Sequence, residues 1–120
     1  MYRIIVAGSR NFNDYELLST KLDYYLSNRV QTDTVVIISG TCYGADQLGE
    51  RYAKEHNLHI DKFPADWNKY GKSAGYRRNV QMAEHADACI VFWDGASKGT
   101  KHMIDIAKAH NLALRVVLTK

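Results

Sequence analysis

The sequence predicts an α/β fold, a single three-layer αβα domain in which helices cover both faces of a five-stranded parallel sheet. Five short apolar runs alternate with segments of helical period, which is the order of a parallel sheet with crossover helices. The runs are almost continuously apolar, as strands buried on both faces are. With 120 residues the chain suffices for one core but hardly for two, so residues 1–120 are expected to form one domain.

The strands are predicted where apolar residues run almost without interruption. β-Branched side chains support two of them most clearly, Val35-Val36-Ile37-Ile38 and Arg115-Val116-Val117-Leu118, because such side chains pack well on a pleated surface. The five predicted strands cover residues 2–7, 34–38, 58–63, 88–93 and 113–118.

Two helices are predicted in the first half of the chain. Asp14 can cap the first helix, because its carboxylate can accept a bond from a main-chain N–H of the first turn. The apolar face of this helix consists of Leu18, Leu22, Tyr25 and Leu26. The second helix is predicted from about residue 44 to 56, and Asn57 is expected to stop it.

Two more helices are predicted in the second half. The third runs from about residue 74 to 86, and its expected apolar stripe is Tyr76, Val80 and Ala83. The fourth begins near Gly99 and ends at about residue 110, before Asn111. Its core-facing residues are expected to be Met103, Ile104 and Ala107.

The connection from Pro64 to Ser73 is long for a strand-to-helix loop, and long loops in compact domains are often functional. It is expected to act as a lid. Trp67 and Tyr70 within it can stack on a base, while the alternative for Trp67 is that it anchors the loop to the core.

Composition and charge indicate an ordinary globular protein. Hydrophobic residues make up 46% and charged residues 24% of the chain, with a formal net charge of +3. This mild positive charge fits an acidic ligand. No apolar run is long enough to cross a bilayer, and the first residues lead straight into a strand without a signal peptide. We therefore expect a cytoplasmic protein without a membrane partner.

The cysteines and histidines show no metal-binding pattern, so no metal and no cofactor are predicted. Cys89 lies inside an apolar strand and is expected to be a core residue. Cys42 lies in a candidate ligand turn, either as a plain turn residue or as a nucleophile. Among the histidines, His102 is the one candidate for acid–base chemistry, because it follows the last glycine cluster.

Three glycine-bearing polar clusters follow directly after predicted strands one, two and four. They are Gly8-Ser9-Arg10, the segment 39–46 and the segment 94–100. In open α/β sheets, ligands bind at the carboxyl ends of the strands where the strand order reverses. The order 3-2-1-4-5 makes these strands neighbours, and we therefore predict it. The sequence then indicates a composite pocket for a phosphorylated ligand.

The residue types in the clusters explain this interpretation. Gly8 allows close approach, and Arg10 can grip phosphate through two N–H groups. Asp46, in the first turn of the second helix, can accept bonds from ribose hydroxyls or merely complement the helix dipole. Hydroxyl and N–H donors at the start of the fourth helix suit a phosphate. The candidate ligand-binding residues from the clusters are Gly8, Ser9, Arg10, Ser39, Gly40, Gly44, Ala45, Asp46, Asp94, Gly95, Ser97, Lys98, Gly99 and Thr100, and to these we add Trp67, Arg78 and Asn79.

The same residues give the chain a resemblance to a known family. The markers are Gly8-Ser9-Arg10, Ser39-Gly40 with Gly44-Ala45-Asp46, Pro64-Ala65-Asp66-Trp67, Gly71 and Gly75, Arg78-Asn79 with Met82, Ala86-Asp87-Ala88, and Gly99-Thr100. With them the chain resembles the SLOG superfamily, named for the DprA/Smf and LOG proteins, and within it the small branch related to YspA and YpsA. The resemblance implies a Rossmann-like fold and a nucleotide or nucleotide-derived ligand, such as ADP-ribose or a nucleoside phosphate.

The LOG branch hydrolyses the N-glycosidic bond of nucleoside monophosphates, and the resemblance to it is partial. Arg78 and Met82 match its upstream segment with the catalytic arginine, so Arg78 is the implied catalytic residue and Asn79 can assist it. The segment 94–100 resembles its glycine loop. Its glutamate, however, is replaced by Met103, and Asp105 faces elsewhere on a helix that turns about 100° per residue.

Three functions follow from these observations. The first is binding of a nucleotide-derived phosphorylated molecule, as a sensor or a processing protein. The second is a nucleoside-monophosphate phosphoribohydrolase, which the replacement by Met103 opposes. The third is single-stranded nucleic-acid binding by analogy with DprA, although no dense stripe of lysine and arginine is visible. Apolar positions on the first and fourth helices also allow a homo-oligomer.

Overall fold

The computed structural model describes residues 1–27 and 34–119. Within them, five parallel strands form one sheet in the order β3-β2-β1-β4-β5. The α/β fold class and the predicted strand order are therefore confirmed. The strands are β1 (Tyr2–Gly8), β2 (Val35–Ser39), β3 (His59–Lys62), β4 (Ala88–Trp93) and β5 (Ala113–Leu118).

Helices connect the strands, and the four predicted ones are present. The long connection after β3 contains one more short helix, α3, followed by a 3₁₀ turn at Gly71–Ser73. The helices are α1 (Tyr15–Leu26), α2 (Ala45–Glu55), α3 (Trp67–Tyr70), α4 (Ala74–Glu84) and α5 (Lys98–Ala109).

Local signals at the helix ends act as the sequence predicts. The Asp14 carboxylate accepts a hydrogen bond from the Leu17 N–H at 3.0 Å and caps α1. Asn57 and Asn111 follow the ends of α2 and α5 with φ of 55° and 57°, and this left-handed conformation ends a helix.

Two apolar layers hold the helices on the sheet. Alternate residues of β1 divide between them, with Ile4 and Val6 in the layer under α1 and α2, and Ile5 and Ala7 in the layer under α4 and α5. Cys89 is in the second layer with 1% of its surface exposed, so its predicted role as a core residue is confirmed. Within the described residues, no helix combines the length and apolar character that crossing a bilayer requires.

The inward face of α4 differs from the predicted stripe. Tyr76 is exposed and Val80 is only partly buried, so the stripe of Tyr76, Val80 and Ala83 is wrong in two of its three members. The buried face carries Arg78 and Asn79 beside apolar residues. Polar side chains on a buried helix face defeat a prediction based on apolar period, and here they point to a site.

Candidate functional site

Hydrogen bonds join the turns after β1, β2 and β4 at the carboxyl edge of the sheet. The Ser9 N–H donates to the Phe92 carbonyl at 3.0 Å, and the Ser9 hydroxyl accepts from the Asp94 N–H at 3.2 Å. The Ala45 N–H donates to the Ser9 carbonyl at 3.5 Å. The three glycine clusters therefore meet at one place, where the strand order reverses.

Two glycines allow this close meeting of main chains. A Cβ at Gly8 would lie 2.3 Å from the Phe92 carbonyl oxygen, and a Cβ at Gly44 would lie 2.3 Å from that of Ser9. Gly44 also has a φ of 82°, which side-chain-bearing residues rarely adopt. Larger residues at either position would push the turns apart.

A central cavity of about 220 Å³ opens between these turns, α4 and the segment 67–72, which contains the short helix α3. Its walls carry three cationic side chains, Arg10, Lys72 and Arg78. Nearly all of its remaining lining is neutral. The predicted residues that line the cavity are Gly8, Arg10, Asp46, Trp67, Arg78, Asn79, Ser97, Gly99 and Thr100.

Arg78 is the most constrained of the cations. Its side chain is buried, with Nη1 donating to the Gly40 carbonyl at 2.6 Å and Nε donating to Asn79 Oδ1 at 3.0 Å. Nη1 also lies 3.6 Å from the Cys42 sulfur. These bonds fix the guanidinium in the cavity wall, and no acceptor among the described residues takes Nη2, which is therefore the donor left for an anion.

Asn79 extends this network away from the cavity. Because its Oδ1 accepts from Arg78, its amide nitrogen faces His102 Nδ1 at 3.1 Å. His102 Nδ1 must therefore accept the bond, which leaves the ring proton on Nε2. Burial lowers the pKa of His102, consistent with a neutral ring. His102 does not line the central cavity, so its place is behind Asn79 and against the Tyr76 ring.

Asp46 is the one carboxylate among the described residues that line the central cavity. Its Oδ2 accepts a hydrogen bond from the Cys42 N–H at 3.1 Å. Burial raises the pKa of Asp46 from 3.8 to about 6, against the opposing effects of the Cys42 N–H and of Arg78. A buried carboxyl with a raised pKa, in a cleft beside cations, is typical of a functional site.

The turn before α5 offers fewer free donors to an anion than the sequence predicts. The Asp94 carboxylate accepts the N–H groups of Ala96 and Ser97 at 2.9 and 2.8 Å, and these bonds lower the pKa of Asp94. Asp94 thus occupies the N–H of Ser97, a residue predicted to bind the ligand, together with the N–H of Ala96. Among the described residues, no acceptor takes the N–H of Lys98 or Gly99, and Ser97 and Thr100 place hydroxyls beside them.

Several predicted residues shape the turns and do not line the central cavity. Ser9 is buried as the bridge to Asp94, and Ser39 is buried with its hydroxyl 2.7 Å from Glu50 Oε2. Their hydroxyls are already used by protein partners, which the sequence does not reveal. The full set outside the cavity lining is Ser9, Ser39, Gly40, Gly44, Ala45, Asp94, Gly95 and Lys98.

The cavity also has lining residues that the sequence analysis did not select. Gly75 and Met82 lie on the face of α4 that carries Arg78 and Asn79. The spacing i, i+3, i+4, i+7 counted from Gly75 contains all four residues, so helical periodicity around Arg78 was the available signal. Further lining residues not selected as ligand-binding are Ala7, Cys42, Lys72, Tyr76 and Met103.

Two grooves adjoin the central cavity. The Tyr43 groove, of about 250 Å³, includes Gly40 and the exposed Tyr43 ring. Trp67, half exposed, borders both this groove and the central cavity. The structure therefore places Trp67 at the mouth of the cavity and not in the core.

The Tyr70 groove, of about 550 Å³, runs along α3 and α4. The Arg77 guanidinium lies 4.5 Å from the centre of the Tyr70 ring, and Lys69 Nζ lies 5.1 Å from it. Arg78 borders this groove as well as the central cavity. Both neighbouring arginines of α4 therefore border the Tyr70 groove, and of the two, Arg78 alone also lines the central cavity.

Met103 is buried and lines the central cavity. The thioether of Met103, which stands where the resemblance to the LOG branch implies a glutamate, therefore faces the cavity. Within residues 1–27 and 34–119, no group of three or more histidine, cysteine or acidic side chains could hold a metal ion.

Comparison with known proteins agrees with this architecture. The parallel sheet of order 3-2-1-4-5 and the cavity at its carboxyl edge define a Rossmann-like α/β protein. Residues 2–70 match the model of the family described as YAcAr, the YspA, cpYpsA-related SLOG family. The chain belongs to this family.

Its relatives include a phage protein and two solved structures. Gene 61 protein of Mycobacterium phage D29 is 32% identical over an alignment of 108 residues, and the match covers 85% of this chain and 85% of that one. DNA processing protein A from Helicobacter pylori, whose structure was described for its single-stranded DNA binding mode, has a TM-score of 0.68 at 16% identity, over 99% of this chain and 66% of that one. The X-ray structure of TM1055 has a TM-score of 0.68 at 16% identity, over 95% and 72%. These two structures share the fold.

Proposed function

We propose that this protein binds a nucleotide or a nucleotide-derived phosphorylated molecule in the central cavity. The observation that carries the proposal is the meeting of Arg10, Lys72 and Arg78 with the N-terminus of α5 around one cavity. Guanidinium groups and N–H donors at a helix start are what a phosphate group requires.

The size of the cavity favours an arrangement in which it encloses only part of the ligand. Its volume of about 220 Å³ lies below the roughly 300–1,000 Å³ of pockets that enclose a whole drug-sized ligand. The cavity suits the sugar and phosphate, and the base then lies at the mouth against Trp67 or Tyr76, which are 50% and 46% exposed. Membership of the SLOG superfamily favours the same class of ligand.

Thermal unfolding with AMP, ADP-ribose and other nucleotides tests the proposal. A ligand at 100 times its Kd stabilises the folded state by about 2.7 kcal/mol, so the Tm rises by several degrees. The absence of stabilisation across the whole panel would contradict the proposal.

Two neighbouring arginines of α4 provide a matched pair of variants. Arg78→Gln should weaken binding about ten- to hundred-fold, since a hydrogen bond to a charged group contributes about 1.5–3 kcal/mol. Arg77→Gln, which removes the same charge from the Tyr70 groove, should leave the affinity almost unchanged. Equal losses in both variants would indicate a general charge effect and not a site at Arg78.

We propose binding without hydrolysis, because Met103 occupies the wall position of the LOG glutamate. Release of adenine from AMP at high protein concentration is the measurement that decides this point. Release by the wild type that is lost in Arg78→Ala would overturn it and favour the phosphoribohydrolase, with Arg78 as the catalytic residue.

Single-stranded nucleic acid is the second candidate ligand. The Tyr43 and Tyr70 grooves adjoin the cavity and carry exposed aromatic rings, and Lys69 and Arg77 lie beside the Tyr70 ring. Base stacking together with basic side chains is how single strands are bound. The likeness to DNA processing protein A favours the same class. Binding of a labelled oligonucleotide should then weaken steeply with salt and be reduced in a Lys69→Gln/Arg77→Gln variant. No binding at low salt would exclude it.

A further inference from the structure

The Asp46 carboxylate has one oxygen without a protein partner. Oδ2 accepts the Cys42 N–H, whereas no donor among the described residues reaches Oδ1. No side-chain polar atom in the described part of the chain is both fully buried and unpaired. Since the Asp46 side chain lines the central cavity, its unpaired oxygen is open to the ligand space.

The nearby arginines do not explain why a carboxylate is buried here. Arg78 directs Nη1 to the Gly40 carbonyl and Nε to Asn79 Oδ1, and among the described residues no hydrogen bond joins it to the Asp46 carboxylate. Asp46 is 5% exposed, and burial of a carboxylate without a full set of donors is unfavourable. A donor supplied by the ligand would complete the set.

The surroundings limit what this donor can be. Arg10, Lys72 and Arg78 line the same cavity, so a ligand ammonium group would meet three like charges. A neutral hydroxyl avoids this repulsion and still donates to the carboxylate.

The position of Asp46 relative to the phosphate donors fits a sugar. Asp46 lines the cavity from α2, on one face of the sheet, whereas Ser97 and Gly99 line it from the start of α5, on the other face. A sugar phosphate held at α5 therefore extends its ring hydroxyls toward α2.

We propose that Asp46 accepts a hydrogen bond from a ribose hydroxyl of the bound ligand and makes the site selective for ribose over deoxyribose. This inference rests on the proposed function, and it names the part of the ligand that the site distinguishes. It also disfavours DNA as the occupant of the central cavity.

Binding of matched sugars by isothermal titration tests the proposal. The probes are the ribonucleotide among AMP and ADP-ribose that stabilises the wild type more, with its 2′-deoxy and 3′-deoxy forms. The wild type should bind at least one deoxy form about ten- to hundred-fold more weakly than the ribonucleotide, which corresponds to one hydrogen bond to a charged group.

Asp46→Asn removes the acceptor with little change of shape. The Cys42 N–H requires an oxygen, so the amide oxygen of the new side chain takes that bond and the NH₂ group turns to the cavity. The variant should bind the ribonucleotide more weakly and should discriminate between ribo and deoxy forms by less than about threefold.

Glu50→Gln is the matched control. Glu50 lies one turn further along α2, does not line the central cavity, and pairs with Ser39 and Lys62. The variant removes the same charge, and it should keep the wild-type ratio of ribo to deoxy affinities.

The wild type also provides a test that needs no folded variant. Since the pKa of Asp46 is raised to about 6, the ratio of ribo to deoxy affinities should be smaller at pH 5 than at pH 7.5. The ratio cancels the titration of the ligand phosphate. The charged or titratable groups that act on Asp46 are Arg10, Arg78 and Glu50, together with the Cys42 N–H and the buried Cys89 thiol of β4.

The outcomes separate the two proposals. Equal affinity of the wild type for all sugar forms, or full discrimination retained by Asp46→Asn, overturns this inference and leaves the proposed function standing. No binding of any nucleotide by the wild type overturns both.

Discussion

Asp46 links binding and stability at the scale of a single residue. In the free protein its carboxylate is buried with one oxygen unpaired, so the folded state holds the ionised form less favourably than the unfolded chain does. Residues whose burial opposes folding are commonly retained for function.

Asp46→Asn should therefore stabilise the free protein at neutral pH. A carboxyl whose pKa rises from 3.8 to about 6 on folding favours the folded state below about pH 4, and this contribution is lost as the pH rises through 6. Removing the charge should raise the free energy of unfolding by roughly 3 kcal/mol at pH 7.5 and have little effect at pH 4. Thermal unfolding at both pH values measures it, and an unchanged Tm at pH 7.5 would contradict it.

Gly44 and Gly95 form a second test at this scale. Both have positive φ, 82° and 84°. A Cβ at Gly44 would lie 2.3 Å from the Ser9 carbonyl oxygen, whereas a Cβ at Gly95 would have no neighbouring heavy atom within 4 Å among the described residues. Gly95→Ala should cost about 1–2 kcal/mol for the backbone conformation alone. Gly44→Ala should cost clearly more in chemical denaturation, because it also separates two turns. Equal losses of stability in the two variants would contradict this expectation, because they would show that the turns accommodate a Cβ at Gly44 at no additional cost.

At the scale of elements, the site depends on how helices begin. The Ser97 hydroxyl caps α5 and also lines the central cavity, whereas the Asp14 carboxylate caps α1 away from it. The two caps perform the same structural task, so comparing them separates stability from binding.

Ser97→Ala and Asp14→Ala should each lower the stability of the protein by about 1 kcal/mol, the usual effect of losing an N-cap. Only Ser97→Ala should also weaken nucleotide binding, because it removes a donor from the cavity. Chemical denaturation and titration of both variants measure the two effects. Weaker binding in Asp14→Ala would show that stability alone explains the loss.

Helix α4 shows where prediction from sequence reaches its limit. The helix was predicted within two residues of its observed end, since its start and period are local properties. The inward face of α4 was not predicted, because Arg78 and Asn79 are buried against partners in the turn after β2 and on α5. Apolar periodicity contains no information about polar groups that find such partners.

At the scale of the whole molecule, the two ends of the sheet have different tasks. At the amino end, the Arg3 side chain connects β1 with β3 and with the segment before β4. Its Nε donates to the His85 carbonyl at 2.5 Å, and its Nη2 contacts Asp61 Oδ2 of β3 at 2.5 Å. At the carboxyl end, the turns after β1, β2 and β4 meet beside the cavity. The amino end stabilises the sheet, and the carboxyl end carries the proposed binding site.

Arg3→Ala should separate these tasks. It should lower the free energy of unfolding by about 1–3 kcal/mol, because it leaves the Asp61 carboxylate and the His85 carbonyl without this donor. The nucleotide affinity should stay unchanged, since five residues of β1 place the site roughly 16 Å away. Titration with the ligand and denaturation with urea measure the two quantities. A matching loss of affinity would show that the sheet transmits the change.

The sequence by itself determined the element order, the strand order and the edge of the sheet at which the glycine clusters meet. These follow from hydrophobic period, from turn residues and from the rule that parallel strands end on one side. Only the tertiary structure decided which polar side chains remain available to a ligand. Ser9, Ser39 and Asp94 are bonded to protein partners, whereas Asp46 keeps an oxygen open to the cavity. The physical reason is that a hydrogen-bond partner far away in sequence is chosen by packing, and packing is a property of the folded chain.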